Sequence, residues 1–296
     1  MSDAIRKLLN TAANRLIKNV SRGYIAGPEL HDALAVANTL RQRGYHFALG
    51  YWDGPGDTPQ GTFNCYQAAQ QSLANSIGNY VSIKLPAIQY DKTLFTRLKH
   101  NATRCHCPMH FDSLAPEQAD AILALFREPF SESDGTDLSL TNMGITLPGR
   151  WRRSVEDART FANSSLAVRV VKGQWDDPDE PKRDATRGYL DVIQALAGRQ
   201  ARVRVATHNY ELAEASIKIL QKAGTPCEME LLYGLPVKQC IPLAQRYKIP
   251  VRVYIAYGHA YLPYALSSLR KHPGVILKLM KEMLRVNYMA GFSFLR

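Results

Sequence analysis

Charged and hydroxyl-bearing side chains recur at every second position of several short apolar runs in this sequence. That spacing puts them on one face of a strand. Val81, Ile83 and Leu85 alternate with Ser82, Lys84 and Pro86, and Cys105, Cys107, Met109 and Phe111 with His106, His110 and Asp112. Val203 and Val205 alternate with Arg204 and His208, Met229 and Leu231 with Glu228 and Glu230, and Val251, Val253 and Ile255 with Arg252, Tyr254 and Ala256. If the apolar sets pack outward under helices, then Lys84, Asp112, Arg204, His208, Glu228, Glu230, Arg252 and Tyr254 face a shared interior. Buried groups of this kind must satisfy one another or a ligand. A polar interior is therefore a candidate site, with an internal salt-bridge network as the alternative reading.

Eight strand-like runs supply these faces: Phe47–Trp52, Tyr80–Ile88, Arg104–Phe111, Met143–Leu147, Leu166–Lys172, Arg202–Thr207, Cys227–Tyr233 and Val251–Ala256. Helical patterns lie between most of them, at Thr62–Ile77, Pro116–Phe126, Arg152–Ala162, Arg183–Leu196, Glu211–Lys222 and Val237–Tyr247. This alternation predicts an α/β fold, a (β/α)8 TIM-type barrel with extra N-terminal helices. The expectation is one barrel domain over residues 1–296, preceded by a helical segment over 1–43 that breaks at Gly27-Pro28. The Ser-, Asp- and Gly-bearing stretch Glu128–Asn142 reads as a loop insertion at the barrel rim.

The run Val251–Pro273 concentrates the chemistry. It reads as a strand, a turn at Gly258, and an amphipathic helix from about Ala260 to Lys271. Tyr264 and Ser268 share a helix face, with Ser267 three residues on from Tyr264. Tyr254 and Tyr264 would converge above the C-terminal end of the strand, where α/β proteins bind ligands.

Composition narrows the class. The chain has 296 residues, 46% of them hydrophobic, enough for a large core, and a formal net charge of +11. Its basic residues are scattered, with no basic run and no interleaved aromatic motif, so a solvated basic surface is expected and nucleic acid is not an expected partner. Five cysteines, no signal-like N-terminus and no apolar run of spanning length point to a cytoplasmic protein with reduced thiols, at most peripheral to a membrane. No metal is expected: in Cys105–His110 strand parity sends the cysteines and histidines to opposite faces, and Asp176, Asp177, Asp179 and Glu180 read as a solvated rim. No phosphate-binding glycine motif is present.

Five motifs, in order along the strands from about Val81 to Pro273, resemble the flavin-dependent proline dehydrogenase family. VSIKLPA, containing Lys84, is similar to the family's Val-Ser-x-Lys-Leu-Ser-Ala, and RVVKGQWD, Arg169–Asp176, to its Arg-Leu-Val-Lys-Gly-Ala-Tyr-Trp-Asp. VATHN, Val205–Asn209, matches throughout, and EMELLYGL, Glu228–Leu235, is close to Glu-Phe-x-x-Leu-x-Gly-Met. Arg252, Tyr254, Gly258, Tyr264 and Leu269 match the C-terminal signature Arg-x-Tyr, glycine turn, Tyr-x-x-Arg-Arg-Leu.

The resemblance implies FAD at the C-terminal mouth of the barrel and hydride transfer from substrate to flavin. It implies that Arg169 faces the flavin ring near N5, where a cation stabilises the reduced ring. Backbone around Val171, Lys172 and Gly173 would bind the ring's polar edge, Thr207, His208 and Asn209 the ribityl and pyrophosphate region, and Trp175 the adenine side, with Glu230 in the same cofactor set. Lys84 and Asp112 match a lysine–aspartate pair beneath the substrate, both expected to stay ionised. Tyr254 and Tyr264 match tyrosines packed over the substrate ring, and Leu235 joins Ser267 and Ser268 on the substrate side.

The departures fall mostly on that side. Ser267 and Ser268 replace the arginine pair that clamps a carboxylate in the family. The Lys-Gly-Gln-Trp segment is one residue short and lacks the family's tyrosine, Lys271 stands where the family has glutamate, and Leu147 where it has a flavin-contacting glutamine. The expected activity is oxidation of a C–N bond in proline or a proline-like secondary amine, with altered specificity and a quinone or oxygen as electron acceptor. The alternatives are a non-catalytic barrel that binds a partner, and a flavin enzyme acting on an amine linked to a carrier protein.

Overall fold

Eight parallel strands pair in sequence order and close on themselves. β1 (His46–Trp52), β2 (Tyr80–Ile83), β3 (Met109–Phe111), β4 (Met143–Pro148), β5 (Ala167–Val171), β6 (Val203–Ala206), β7 (Cys227–Leu232) and β8 (Val251–Gly258) form the (β/α)8 barrel. β8 returns to β1 in the register Ala48↔Tyr254 and Gly50↔Ala256. The structure, a computed structural model, describes residues 25–113, 115–127, 142–235 and 237–259. The N-terminal helix expected before Ile25, all but the last residue of the stretch Glu128–Asn142 expected as an insertion, and the helix expected to bear Tyr264, Ser267 and Ser268 lie outside the described residues.

The helices begin where the sequence offers caps. Thr58 accepts from Gly61 N and precedes Pro59 at the start of α2 (Pro59–Ser72), and Asp91 accepts from Leu94 N at 2.9 Å to open α3 (Lys92–Cys105). Asp184 and Asn209 do the same for α6 (Ala185–Ala195) and α7 (Tyr210–Lys222). Before β1, α1 (Leu30–Gln42) packs against both β8 and β1 and covers the seam where the barrel closes. The remaining helices are α4 (Ala119–Arg127), α5 (Ser154–Thr160) and α8 (Cys240–Arg246).

Two strands are shorter than their sequence pattern. β2 stops at Ile83 because Pro86 cannot donate to a ladder, and Leu85–Ile88 form a 3-10 turn. The run Arg104–Phe111 is strand only from Met109. Arg104 and Cys105 end α3, whose buried residues Leu94, Leu98, Ala102 and Cys105 follow a helical period that the sequence reading passed over, and His106 caps it in the left-handed region at φ 46°. Cys105 and His106 therefore lie outside any strand alternation, whereas His110 and Asp112 share the lumen face.

On the strands other than β5, odd-numbered residues such as Val81, Ile83, Met109, Val203, Val205, Met229, Leu231, Val253 and Ile255 join the large core beneath the helices. Even-numbered ones face the lumen, except on β5, where Val168 and Val170 join the outer core and Arg169 points inward. Its floor is an ion cluster. Fully buried Glu228 accepts from Arg252 Nε at 2.7 Å, from Arg204 Nε at 2.9 Å and from Arg202 Nη1 at 3.1 Å. Burial alone would raise the Glu228 carboxyl, but Arg252 and Arg204 outweigh it and hold it far below the carboxylate range. Above it, Arg204 Nη1 donates to His110 Nδ1 at 2.7 Å, so the imidazole proton sits on Nε2 and is offered to Thr146 Oγ1 at 2.9 Å. Burial and three nearby guanidinium groups keep that histidine neutral.

Such large polar side chains fit because two lumen positions carry no side chain. A methyl group on Gly144 would overlap His110, and one on Gly50 would overlap the Tyr254 hydroxyl. Gly50→Ala is expected to destabilise the fold by about 1–3 kcal/mol through overpacking. The check is a lowered thermal midpoint, and an unchanged midpoint would contradict this packing.

Candidate functional site

The upper storey of the lumen is built around Arg169, which β5 projects inward, in register with Thr146 of β4 and Arg204 of β6. Arg169 Nη1 donates to Asp112 Oδ1 at 2.6 Å, and Nη2 lies 2.8 Å from Glu230 Oε1 and 2.8 Å from the Tyr80 hydroxyl. Thr146 Oγ1 accepts from Nη1 at 3.2 Å. Burial works against the guanidinium charge, yet Glu230, the Tyr80 phenol and Asp112 outweigh it and hold Arg169 well above the usual arginine range. Its Nε is buried with no hydrogen-bond partner.

Asp112 is held from three sides: Ser82 Oγ donates to Oδ1 at 2.7 Å, and Tyr254 Oη to Oδ2 at 3.1 Å, besides Arg169. Tyr254 Oη itself accepts from Trp52 Nε1 at 3.1 Å, which directs its proton to Asp112. Tyr80 Oη in turn donates to Glu230 Oε2 at 2.8 Å. Lys84 stands 4.0 Å from Asp112, donates to Tyr51 O at 2.8 Å, and its ammonium lies 5.4 Å from the Trp52 ring centroid. At that separation burial outweighs the carboxylate and brings the Lys84 amine down to about 8.

Over this layer opens a cavity of about 390 Å³ at the C-terminal ends of the strands. Lys84, Asp112, Arg169, Val171, Lys172, Gly173, Trp175, Thr207, His208, Glu230, Leu235 and Tyr254 all line it. Of the described candidates only Asn209 does not: its side chain accepts from Leu212 N at 2.7 Å as the cap of α7. Leu147 belongs to the outer core; on β4 the cavity meets Thr146 and Pro148 instead.

The loop after β5 is braced rather than loose. Arg150 N donates to Lys172 O at 2.9 Å, Arg150 Nε to Gly173 O at 3.2 Å, and Trp151 Nε1 to Trp175 O at 3.1 Å. Asp177 is 4% exposed and accepts from Arg152 N, Asp179 N and Glu180 N, so it organises this loop instead of forming part of a solvated rim. Among the described residues, no group of three or more His, Cys, Asp or Glu side chains is placed to hold a metal ion, and no helix is long and apolar enough to cross a membrane.

Sequence reasoning missed Trp52, Tyr80 and Trp151 as site residues. The first two carried a usable signal, since Ala48, Gly50 and Trp52 share one face of β1, and Tyr80 continues the Ser82–Lys84 face by one step.

No protein-family model matches this sequence, and no curated protein does. Solved structures do match. Proline utilization A (PutA) from Bdellovibrio bacteriovorus, inactivated by N-propargylglycine, superposes with a TM-score of 0.71 at 18% identity over 90% of this chain and 34% of that one. Proline utilization A from Corynebacterium freiburgense gives 0.66 at 18% identity, over 95% of this chain and 33% of its own. The D778Y mutant of the Bradyrhizobium japonicum protein gives 0.62 at 16% identity, over 91% and 31%. The shared feature is the fold, and the chain spans about a third of the length of these structures.

The displaced amine of Lys84 has a measurable consequence. Its pKa in the fold lies below the ordinary value of 10.5, so between about 8 and 10.5 the unfolded chain binds more protons and stability rises with pH. Below about 8 the charged, buried amine costs on the order of 3 kcal/mol. The difference in unfolding free energy between wild type and Lys84→Met is expected to change by that amount across this window. A pH-independent difference would contradict the assignment.

Proposed function

We propose that this chain is an FAD-dependent oxidoreductase of the proline dehydrogenase type, acting on a proline-like amine. The observation that carries the reading is the braced Arg169 at the base of the cavity, with Lys84, Asp112 and Tyr254 on one side and the loop after β5 on the other. The barrel fold shared with the proline utilization A structures supports it.

The residues present suit the cofactor. Arg169 has a buried, unpartnered Nε donor, and the walls contributed by Trp52, Trp151, Trp175 and Leu232 suit a flat aromatic ring. In this reading Arg169, Val171, Lys172 and Gly173 hold the ring, Thr207, His208 and Trp175 the remainder of the molecule, and Glu230 lies at its base. When bound, the flavin supplies a two-electron acceptor for a hydride from the carbon beside the amine nitrogen.

The chain's own groups do the rest. Asp112, fixed by Ser82, Arg169 and Tyr254, presents a carboxylate to the cationic end of a substrate amine. Lys84, brought down to about 8, can take up or release a proton there near neutral pH. The Tyr254 hydroxyl is committed to Trp52 and Asp112, so Tyr254 offers the substrate mainly its ring. Leu235 adds an apolar contact, and the sequence motif matches Tyr264 to a tyrosine over the substrate ring and Ser267 and Ser268 to the carboxylate-binding positions. With serines in place of the arginine pair, the substrate carboxylate is absent, masked or bound elsewhere. The electrons would pass on to a quinone or oxygen.

A second reading, a non-catalytic barrel, draws on one observation: the carboxylates of the upper storey already neutralise Arg169 without a ligand. Anaerobic titration of the FAD-loaded protein separates the two. Amines lacking a free carboxylate are expected to bleach the flavin absorption at concentrations at least about tenfold below those needed for free proline, whose carboxylate would be desolvated without the arginine pair to receive it. Bleaching by proline at equal or lower concentration would contradict the altered specificity. A flavin that no amine bleaches would favour the non-catalytic barrel.

A further inference from the structure

Glu230 is a second carboxylate on a guanidinium that already has one. Asp112 takes Nη1 of Arg169 and Glu230 takes Nη2, at 2.6 and 2.8 Å. Glu230 is 4% exposed and lines the cavity, so its charge is not screened by bulk water. Tyr80 fixes its orientation: the phenol donates to Glu230 Oε2 and accepts from Arg169 Nη2, both at 2.8 Å. Burial pushes that phenol up, so it stays a neutral donor. The ring of Tyr80 rests on the cations of the lower storey, with Arg204 and Arg252 4.3 and 4.6 Å from its centroid, and this locks it in place.

The charges can be summed by layer. In the upper storey Lys84 and Arg169 face Asp112 and Glu230, which balances. In the lower one Glu228 alone faces Arg202, Arg204 and Arg252, which leaves an excess of positive charge. Without Glu230 both layers would carry a net positive charge, with Asp112 alone facing Lys84 and Arg169 in the upper one. A cation beside a flavin favours its reduced, anionic form, and a carboxylate opposes it.

We propose that Glu230, held by Tyr80, is a positioning and charge-setting residue that offsets Arg169 and holds the reduction potential of the bound flavin down. This rests on the flavin reading above and adds to it a tuning role carried by a pairing of this chain.

The test is the midpoint potential of the FAD-loaded protein, measured spectroscopically against a reference dye in two pairs matched for size. Wild type is compared with Glu230→Gln, and Glu230→Asp with Glu230→Asn. In each pair only the charge changes, and the second pair carries the test if Glu230→Gln does not fold. The uncharged member is expected to favour the reduced flavin by about tenfold, about 30 mV for a two-electron couple. A difference within both pairs below about twofold, about 9 mV, would overturn the proposal, as would a shift of the opposite sign. Failure of the wild type to bind FAD at all would instead overturn the reading on which the proposal rests.

Discussion

One guanidinium sets the terms for the upper half of this barrel. Arg169 sits where water cannot solvate it, and an unpaired charge there would cost several kcal/mol. Asp112 and Glu230 offset that cost from opposite strands, and each must then be oriented in turn. Ser82 and Tyr254 hold Asp112, Tyr80 holds Glu230, and Trp52 holds Tyr254. Strands β1, β2, β3, β5, β7 and β8 are thus tied across the lumen by polar contacts, where an ordinary barrel interior is filled by branched aliphatic side chains. Space for this arrangement comes from Gly50, and for the layer below it from Gly144.

The two storeys have different outlets. The lower one is satisfied internally: Glu228 is fully buried and His110 is bonded on both ring nitrogens, with Arg202 alone of its ion cluster reaching solvent. The upper one opens to a cavity between the loops after β4 and β5 on one side and the ends of β7 and β8 on the other. Both readings of a polar interior, salt bridges and ligand site, therefore hold at different depths. The same parallel closure that turns one alternating set of side chains inward also brings its uppermost members to the strand tips, where the chain can vary its loops without disturbing the core.

The interior was legible wherever a strand was long enough for parity to operate. Lys84, Arg204, Glu228, Glu230, Arg252 and Tyr254 all lie on the face that alternation assigns them. Parity failed where a local rule took precedence. Pro86 turned the end of β2 into a 3-10 turn, and a helical period ran through Leu94, Leu98 and Ala102 up to Cys105. Asn209 shows a further limit, since an asparagine just before a helix serves equally as a ligand contact and as a cap, and here it caps. Leu147 was placed on the wrong side because the lumen register of β4 is set by its neighbours, Thr146 opposite Arg169, and not by the motif alone. Which partner each buried charge takes was beyond any pattern in the sequence. Those pairings run between strands far apart in the chain, such as Tyr80 with Glu230.

The central claim is that Arg169 and its two carboxylates are arranged to receive a flavin. Calorimetric titration of the purified, flavin-free chain with FAD tests it most directly, beside the variant Arg169→Met. The account expects saturable binding at one FAD per chain, weakened at least about tenfold in the variant, the loss of a charge-assisted hydrogen bond. Equal affinity in the two proteins, or no binding heat with either while both remain folded, would contradict it.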